Sequence, residues 1–368
     1  MNGEKIAVCC TKMCSDGTNI WFAHASINIL FCVDIKSGSV RNTYLIPYEE
    51  YYGKEQLYGG IINFQDFIWL IPIVATRIVV FNKKTEQFES IELFCEDREK
   101  CQYLFSAAFR RGRSLYCIPG QYSKWIRIDL KTREVVCIKD FLGYGELSNY
   151  FGWTTAEWKN CCIIKTYIDG TKLVVFDTKK ENTYDLKLDY NNMIVSDVEI
   201  AVIDDYAYIS SYWAEDNYLR KIDLNTGKFL KQIKVCSEDK RIQSFGDCII
   251  VDYIKLAKYE MYNKELELIY SGEINIDKSI KLFRPEYQIG TWEDFGDGTL
   301  GCLHNGANFL YIYRKYDMSV LQIINLQTDT SYLKFIKNKV KREDELECVE
   351  NDVYALSDFL RRNIEDKN

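Results

Sequence analysis

Two histidines, His24 and His304, are the only imidazoles in this 368-residue chain. A histidine beside a carboxylate moves protons near neutral pH, and next to a divalent metal it can drive elimination or hydrolysis. Asp297 and Glu293 precede His304 in the stretch Glu293-Asp294-Phe295-Gly296-Asp297-Gly298. The catalytic grouping these residues allow is His24, His304 and Asp297; its competitor is a pair of ordinary hydrogen-bonded histidines. The acidic stretch lacks the alternating ligands of a Ca²⁺ loop and reads as a turn. Cys9-Cys10-Thr11-Lys12-Met13-Cys14 has no second Cys or His pair at ligand spacing, and adjacent cysteines on a strand point to opposite faces, so no metal site is expected. No glycine-rich phosphate loop runs from a strand into a helix, and no cofactor is expected.

A second set of residues suits recognition. Tyr122, Tyr167, Tyr212 and Trp213 fall in short polar loops between apolar runs, with Glu215 nearby. Arg284 and Tyr287 lie in the longest insertion, from Asn275 to Trp292, and further tyrosines (Tyr48, Tyr51, Tyr52, Tyr144, Tyr150, Tyr190) occupy other connections. A rigid ring with a polar tip binds peptides and sugars at low entropic cost. The competing role for each tyrosine is to cover a hydrophobic edge, because 27 tyrosines are spread through the chain.

A repeat positions these loops. An apolar run, a short loop, a second apolar run ending in Asp or Asn, and a tight turn recur with the end residue at 34, 82, 129, 177, 223, 263 and 325. The first four intervals are 48, 47, 48 and 46; the last two, 40 and 62, sum to nearly two periods. Ser or Thr follows three residues later at Asp34/Ser37, Asn82/Thr85, Asp129/Thr132, Asp223/Thr226 and Asn325/Thr328. A short acceptor there bonds the amides ahead of it, with the hydroxyl helping to close the loop, so these residues punctuate hairpins. A more polar strand precedes each copy, as at 59–64 and 106–109. Four short strands per roughly 45 residues predict an all-β, seven-bladed β-propeller. Its first strand is expected at 5–11 and its last at 332–336, so that blade 7 packs on blade 1 without a shared strand. His304 is then expected in the channel strand of blade 7.

The repeat resembles bacterial propeller families described as Kelch-like or YVTN-like, through Ile222-Asp223-Leu224-Asn225-Thr226-Gly227-Lys228, Trp69-Leu70-Ile71-Pro72 and Tyr116-Cys117-Ile118-Pro119. The resemblance implies a fold and leaves function to the loops. The paired glycines of eukaryotic Kelch repeats, the Gly-His and Trp-Asp marks of WD repeats and the Trp ladder of quinoprotein dehydrogenases are missing. Streptogramin lyases are propellers with a histidine acid/base beside a metal, and the His24/His304 grouping is similar to them in residue type only.

Residues 1–340 are thus expected to be the propeller and 341–368 a C-terminal helix and tail. Leu346, Val349, Val353, Leu356 and Leu360 are three and four apart and form one apolar stripe. Such a helix docks on its own propeller or joins a partner or a second copy. The net charge of -7 and the lack of a basic block argue against nucleic acid. No run approaches a membrane span, no signal-peptide core follows Met1, and fourteen cysteines in a chain of this size read as reduced core thiols, so a cytoplasmic protein is expected. The predicted function is a non-enzymatic recognition scaffold whose channel-mouth face takes a protein or a saccharide-like ligand; a histidine-metal lyase or hydrolase is the alternative.

Overall fold

The computed structural model describes residues 10, 12–24, 28–48, 57–93, 104–122, 124–140, 151–166, 172–189, 198–211, 216–237, 239–253, 256–273, 290–304 and 309–326. It holds 28 strands in seven four-stranded antiparallel sheets, the blades of a seven-bladed β-propeller. Among the described residues there is no helix, and so none long and apolar enough to cross a membrane. The helix expected at 344–364 and the tail after it lie outside them.

The chain divides into two compact units. One holds blades 7, 1 and 2. Blade 1 is β1 (Met13–Ser15), β2 (Asn19–Ala23), β3 (Ile29–Asp34) and β4 (Ser39–Leu45). Blade 2 is β5 (Tyr58–Phe64), β6 (Phe67–Pro72), β7 (Arg77–Asn82) and β8 (Gln87–Glu92). Blade 7 is β25 (Gly290–Asp294), β26 (Thr299–His304), β27 (Phe309–Arg314) and β28 (Val320–Asn325).

The other unit holds blades 3 to 6. Blade 3 comprises β9 (Phe105–Arg111), β10 (Ser114–Pro119), β11 (Lys124–Asp129) and β12 (Val135–Asp140), and blade 4 β13 (Phe151–Trp158), β14 (Cys161–Thr166), β15 (Lys172–Asp177) and β16 (Asn182–Lys187). Blade 5 comprises β17 (Val198–Ile203), β18 (Tyr206–Ser211), β19 (Tyr218–Asp223) and β20 (Phe229–Lys234), and blade 6 β21 (Lys240–Phe245), β22 (Cys248–Tyr253), β23 (Lys258–Asn263) and β24 (Leu268–Glu273).

Within each unit, second and third strands are apolar because their faces pack on neighbouring blades. In β18, Ala207 and Ile209 pack with blade 4, while Tyr208 turns to the blade 6 core of Ile242, Ile249 and Val251. Trp125 of blade 3 stacks on Phe176 of blade 4 with ring centroids 4.3 Å apart. Fourth strands are largely exposed, which is why the sequence reads polar there. Cys32, Cys117, Cys162 and Cys302 are buried thiols in this core, and Cys248 is half-buried.

The marker residues do what their chemistry implies. Asp34 Oδ1 accepts from the Ser37 amide at 2.7 Å, and Asp129 Oδ1 from the Thr132 amide at 3.0 Å. Asp177 makes the same bond to the Lys180 amide without a hydroxyl at that position, so the carboxylate alone suffices.

Blade 7 departs from the expected phase. Leu310-Tyr311-Ile312 belong to the third strand, not the second, and Leu321–Asn325 to the fourth, not the third. The true marker is Arg314, where Met318 N donates to Arg314 O at 2.9 Å and Met318 adopts φ 55°. No Asp or Asn stands at the marker position itself; Asp317, three residues on, accepts from Ser319 N at 3.0 Å instead, while Asn325/Thr328 imitates the flag one strand later. The segment expected as the last strand, 332–336, lies outside the described residues. So does most of 5–11; the first strand of blade 1 is β1.

Blade 7 packs directly on blade 1. Leu303, Leu310, Ile312 and Ile324 share a core with Phe22, Ile29, Phe31 and Val33, and Thr291 Oγ1 donates to Cys10 O at 2.9 Å. All four strands of each blade are consecutive in sequence, as expected.

Candidate recognition face

In an up-and-down blade, the loop between strands two and three and the connection to the next blade emerge at the same end. Backbone bonds lace the two together. In blade 1, Ile46 N donates to Asn28 O at 3.0 Å and Asn28 Nδ2 to Ile46 O at 2.6 Å. In blade 5, Val235 N donates to Asn217 O at 2.8 Å. An asparagine just before the third strand, in Asn28-Ile29-Leu30 and Asn217-Tyr218-Leu219, marks both sites in the sequence.

Among the described residues, the blade 5 loop carries the densest group of buried charges at this end. Arg220 of β19 grips Asp216 through two bonds, Nη1–Oδ2 at 2.5 Å and Nη2–Oδ1 at 3.0 Å. Lys240, the first residue of β21, reaches across the blade 5–blade 6 seam to donate to Asp216 O at 2.8 Å. Asp216, Arg220, Asp239 and Lys240 are all buried, Lys240 completely. Burial pulls the Lys240 ammonium below its ordinary pKa, opposed by the carboxylates of Asp216 and Asp239. Tyr218 lies under the Arg220 guanidinium, 5.5 Å from ring centroid to Cζ. A bidentate, buried pair of this kind fixes geometry more than it adds stability.

This network clamps one end of the loop holding Tyr212 and Trp213; Ser211, at the other end, is buried in β18. Tyr212, Trp213 and Glu215 themselves lie outside the described residues, as do Tyr167, Arg284 and Tyr287, and Tyr51, Tyr52, Tyr144, Tyr150 and Tyr190. Tyr122 is 5% exposed and packs edge-on against Phe105, 5.4 Å between centroids, while its amide donates to Leu104 O at 3.3 Å. Its ring holds the blade 3 loop down. Tyr48 is pinned to blade 2, its hydroxyl donating to Phe88 O at 3.1 Å under the Arg77 guanidinium.

The strand order separates Asp297 from His304 in the histidine grouping. His24 is 3% exposed and sits beside Phe31, centroids 6.3 Å apart. His304 ends the second strand of blade 7 rather than lying in its channel strand. Asp297 sits in the β25–β26 turn, at the other end of β26 from His304, where it accepts from Thr299 N at 3.0 Å and Thr299 Oγ1 at 2.5 Å. The five residue steps of β26 between Thr299 and His304 alone span about 17 Å. Among the described residues no three His, Cys, Asp or Glu side chains could hold a metal ion together.

Glu293 has a different character. It lies on β25 opposite Gly301, and burial raises its carboxyl to about 7, with Lys12 opposing and Asp294 adding to the rise. Buried Cys14 is likewise raised, by burial first and then by Glu293. Position on an inner strand, not any motif, produces both shifts.

No family model matches the chain, and no curated protein matches it. Solved structures do. The computationally designed Ika8 protein aligns with 10% identity over 89% of this chain and 92% of its own, at a TM-score of 0.56. The WD40 repeats of RRP9 align with 10% identity over 83% and 89%, also at 0.56. Kluyveromyces lactis Hsv2 aligns with 9% identity over 84% and 96%, at 0.52. At such identities the likeness is one of fold.

Proposed function

We propose that this propeller is a recognition scaffold for a protein partner, contacted through the blade 4 and blade 5 loops that carry Tyr167, Tyr212 and Trp213. The observation that carries the reading is the buried Asp216–Arg220–Lys240 clamp at the foot of the Tyr212–Trp213 loop. Buried charge is costly, and a chain accepts that cost where a fixed geometry is needed. Tyr and Trp in a segment whose two ends are held lose less entropy on binding, and these two residue types dominate interface hot spots. The propeller fold, shared with WD40 proteins, offers the rigid frame. The C-terminal segment, 341–368, then serves as a second contact for a partner or a second copy.

The test is affinity capture with the full chain and its Tyr212→Ala/Trp213→Ala variant, bound proteins being identified by mass spectrometry and re-measured with purified components. A partner that binds the parent chain at least tenfold more tightly than the variant is expected. A glycan array bound by the parent chain and lost in the variant, with no protein so affected, would overturn the protein reading.

A further inference from the structure

At the end of the blades opposite Asp216, the turns of blades 3 to 6 divide by charge. Strands one and two, and strands three and four, are joined here, and backbone bonds tie the two turns of a blade together. Leu130 N donates to Arg113 O at 2.8 Å, Thr178 N to Asn160 O at 2.9 Å and Leu224 N to Asp205 O at 2.9 Å. In blades 3 and 4 the turns 111–114, 129–135, 158–161 and 177–182 hold seven Lys or Arg against four Asp or Glu. In blades 5 and 6 the turns 203–206, 223–229, 245–248 and 263–268 hold six Asp or Glu against two Lys.

These blades pack in order within one unit, 3 on 4, 4 on 5 and 5 on 6, so the charge changes sign once, at the blade 4–5 seam. At the seam Lys159 Nζ meets Asp205 Oδ1 at 2.7 Å. Farther out the charges face solvent: the Lys180 side chain is 74% exposed, Arg113 63%, Asp204 63% and Glu265 61%. Lys131, Lys179 and Asp247 are exposed and form no ion pair among the described residues. Asp129 Oδ1 accepts from the Lys131 amide and Asp177 Oδ1 from the Lys179 amide, both at 2.9 Å. The backbone carrying each lysine is therefore fixed before any contact is made, which lowers the ordering cost of binding.

We propose that this end is where two copies of the chain meet, about a two-fold axis lying in the contact plane along the blade 4–5 seam. Such an axis sets blade 4 of one copy against blade 5 of the other, and blade 3 against blade 6. Each basic blade then faces an acidic one, and because the contact is isologous the match is made twice. A partner of one sign would be drawn to one half and repelled by the other. A surface with both signs in mirrored order fits the whole, and the chain itself is such a surface. Exposed ion pairs are individually weak and are screened by salt, so the contact must be salt-sensitive. It uses no residue of the Tyr212–Trp213 loop and stands or falls apart from the recognition reading.

Sedimentation equilibrium of the full chain tests this at about 0.05 M and about 0.5 M salt. A monomer–dimer equilibrium is expected, with a Kd at least tenfold higher in the more concentrated salt. Two variants reverse one half each at exposed positions: Lys131→Glu/Lys179→Glu/Lys180→Glu, and Asp204→Lys/Asp247→Lys/Glu267→Lys. In each variant both halves carry one sign, so neither should dimerise alone and an equimolar mixture should form a heterodimer. Unfolding midpoints check that the variants fold; if one does not, the salt series on the parent chain decides without it. A parent chain that stays monomeric up to about 1 mM protein in the dilute salt overturns the inference. So does a dimer that either variant keeps, or a mixture that stays monomeric.

Discussion

Lys240 and Asp216 meet across the seam between blades 5 and 6, the buried ammonium donating to the Asp216 carbonyl at 2.8 Å while the Asp216 carboxylate is held by Arg220. The loop end is therefore tied to two blades at once. Removing one member leaves the others charged and buried. Asp216→Ala is expected to lower the unfolding free energy by about 3 kcal/mol, since breaking a buried pair strands its partner. Lys240→Met should cost clearly less, because it removes the charge and keeps the volume. Urea denaturation midpoints of both variants check the order; a costlier Lys240→Met would refute the clamp.

Glu293 predicts a loss of stability on the alkaline side. Its folded carboxyl titrates at about 7 against an ordinary 4.5. A raised carboxyl holds its proton better when folded, so the contribution is complete below pH 4.5 and fades as pH rises through 7. Glu293→Gln should flatten that slope and stabilise the chain above pH 7, by at most about 3 kcal/mol. Thermal midpoints from pH 5 to 8 read it directly, and parallel curves for parent and variant would contradict it.

Glu260 works in the opposite sense. Burial alone would raise it, but bonds from Lys258 at 2.8 Å, from Tyr253, and from Tyr262 at 2.7 Å outweigh burial and hold it below its ordinary value. Its contribution is present above pH 4.5 and is lost as pH falls through the depressed folded value. Glu260→Gln should therefore destabilise the chain at pH 7 and narrow the gap to the parent in acid. Acid unfolding monitored by tyrosine fluorescence would show it; a constant gap at all pH values would not fit.

Gly227 marks a close approach between blades 4 and 5. It adopts φ 73°, and a Cβ there would stand 1.9 Å from Lys187 O. Its own carbonyl accepts from Asp189 N at 2.9 Å, so neither backbone can retreat without losing that bond. Gly227→Ala is expected to cost several times more than Gly112→Ala, which has a similar φ of 59° with nothing within 4 Å. The latter should cost about 1 kcal/mol, the price of the left-handed backbone alone. Equal losses in chemical denaturation would refute the close contact.

The propeller was legible because turn chemistry repeats. Asp34, Asn82, Asp129, Asp177, Asp223 and Asn263 end the third strands of blades 1 to 6 as their spacing implies. Blade 7 slipped by one strand because Arg314 stands where the other blades have Asp or Asn, and the acceptor of that turn is Asp317, three residues later. Its neighbour Asn325 carries the flag without ending a third strand. The clamp was not legible. Asp216, Arg220 and Lys240 come together through loop closure and blade packing, and no period links them. Of the recognition tyrosines, Tyr122 shows the difficulty best: a ring in a loop reads the same in sequence whether it faces solvent or, as here, Phe105.

Blade 7 meets blade 1 through side chains and one bond from Thr291 to Cys10, with no strand exchanged between them. Each blade can thus hydrogen-bond itself completely as soon as its own four strands have been synthesised. Growth of the chain need leave no orphan strand waiting hundreds of residues for its sheet, a condition that favours fast, local folding. What must wait is one dry seam, whose two faces, centred on Phe22 and Leu310, stay wet until the final blade arrives.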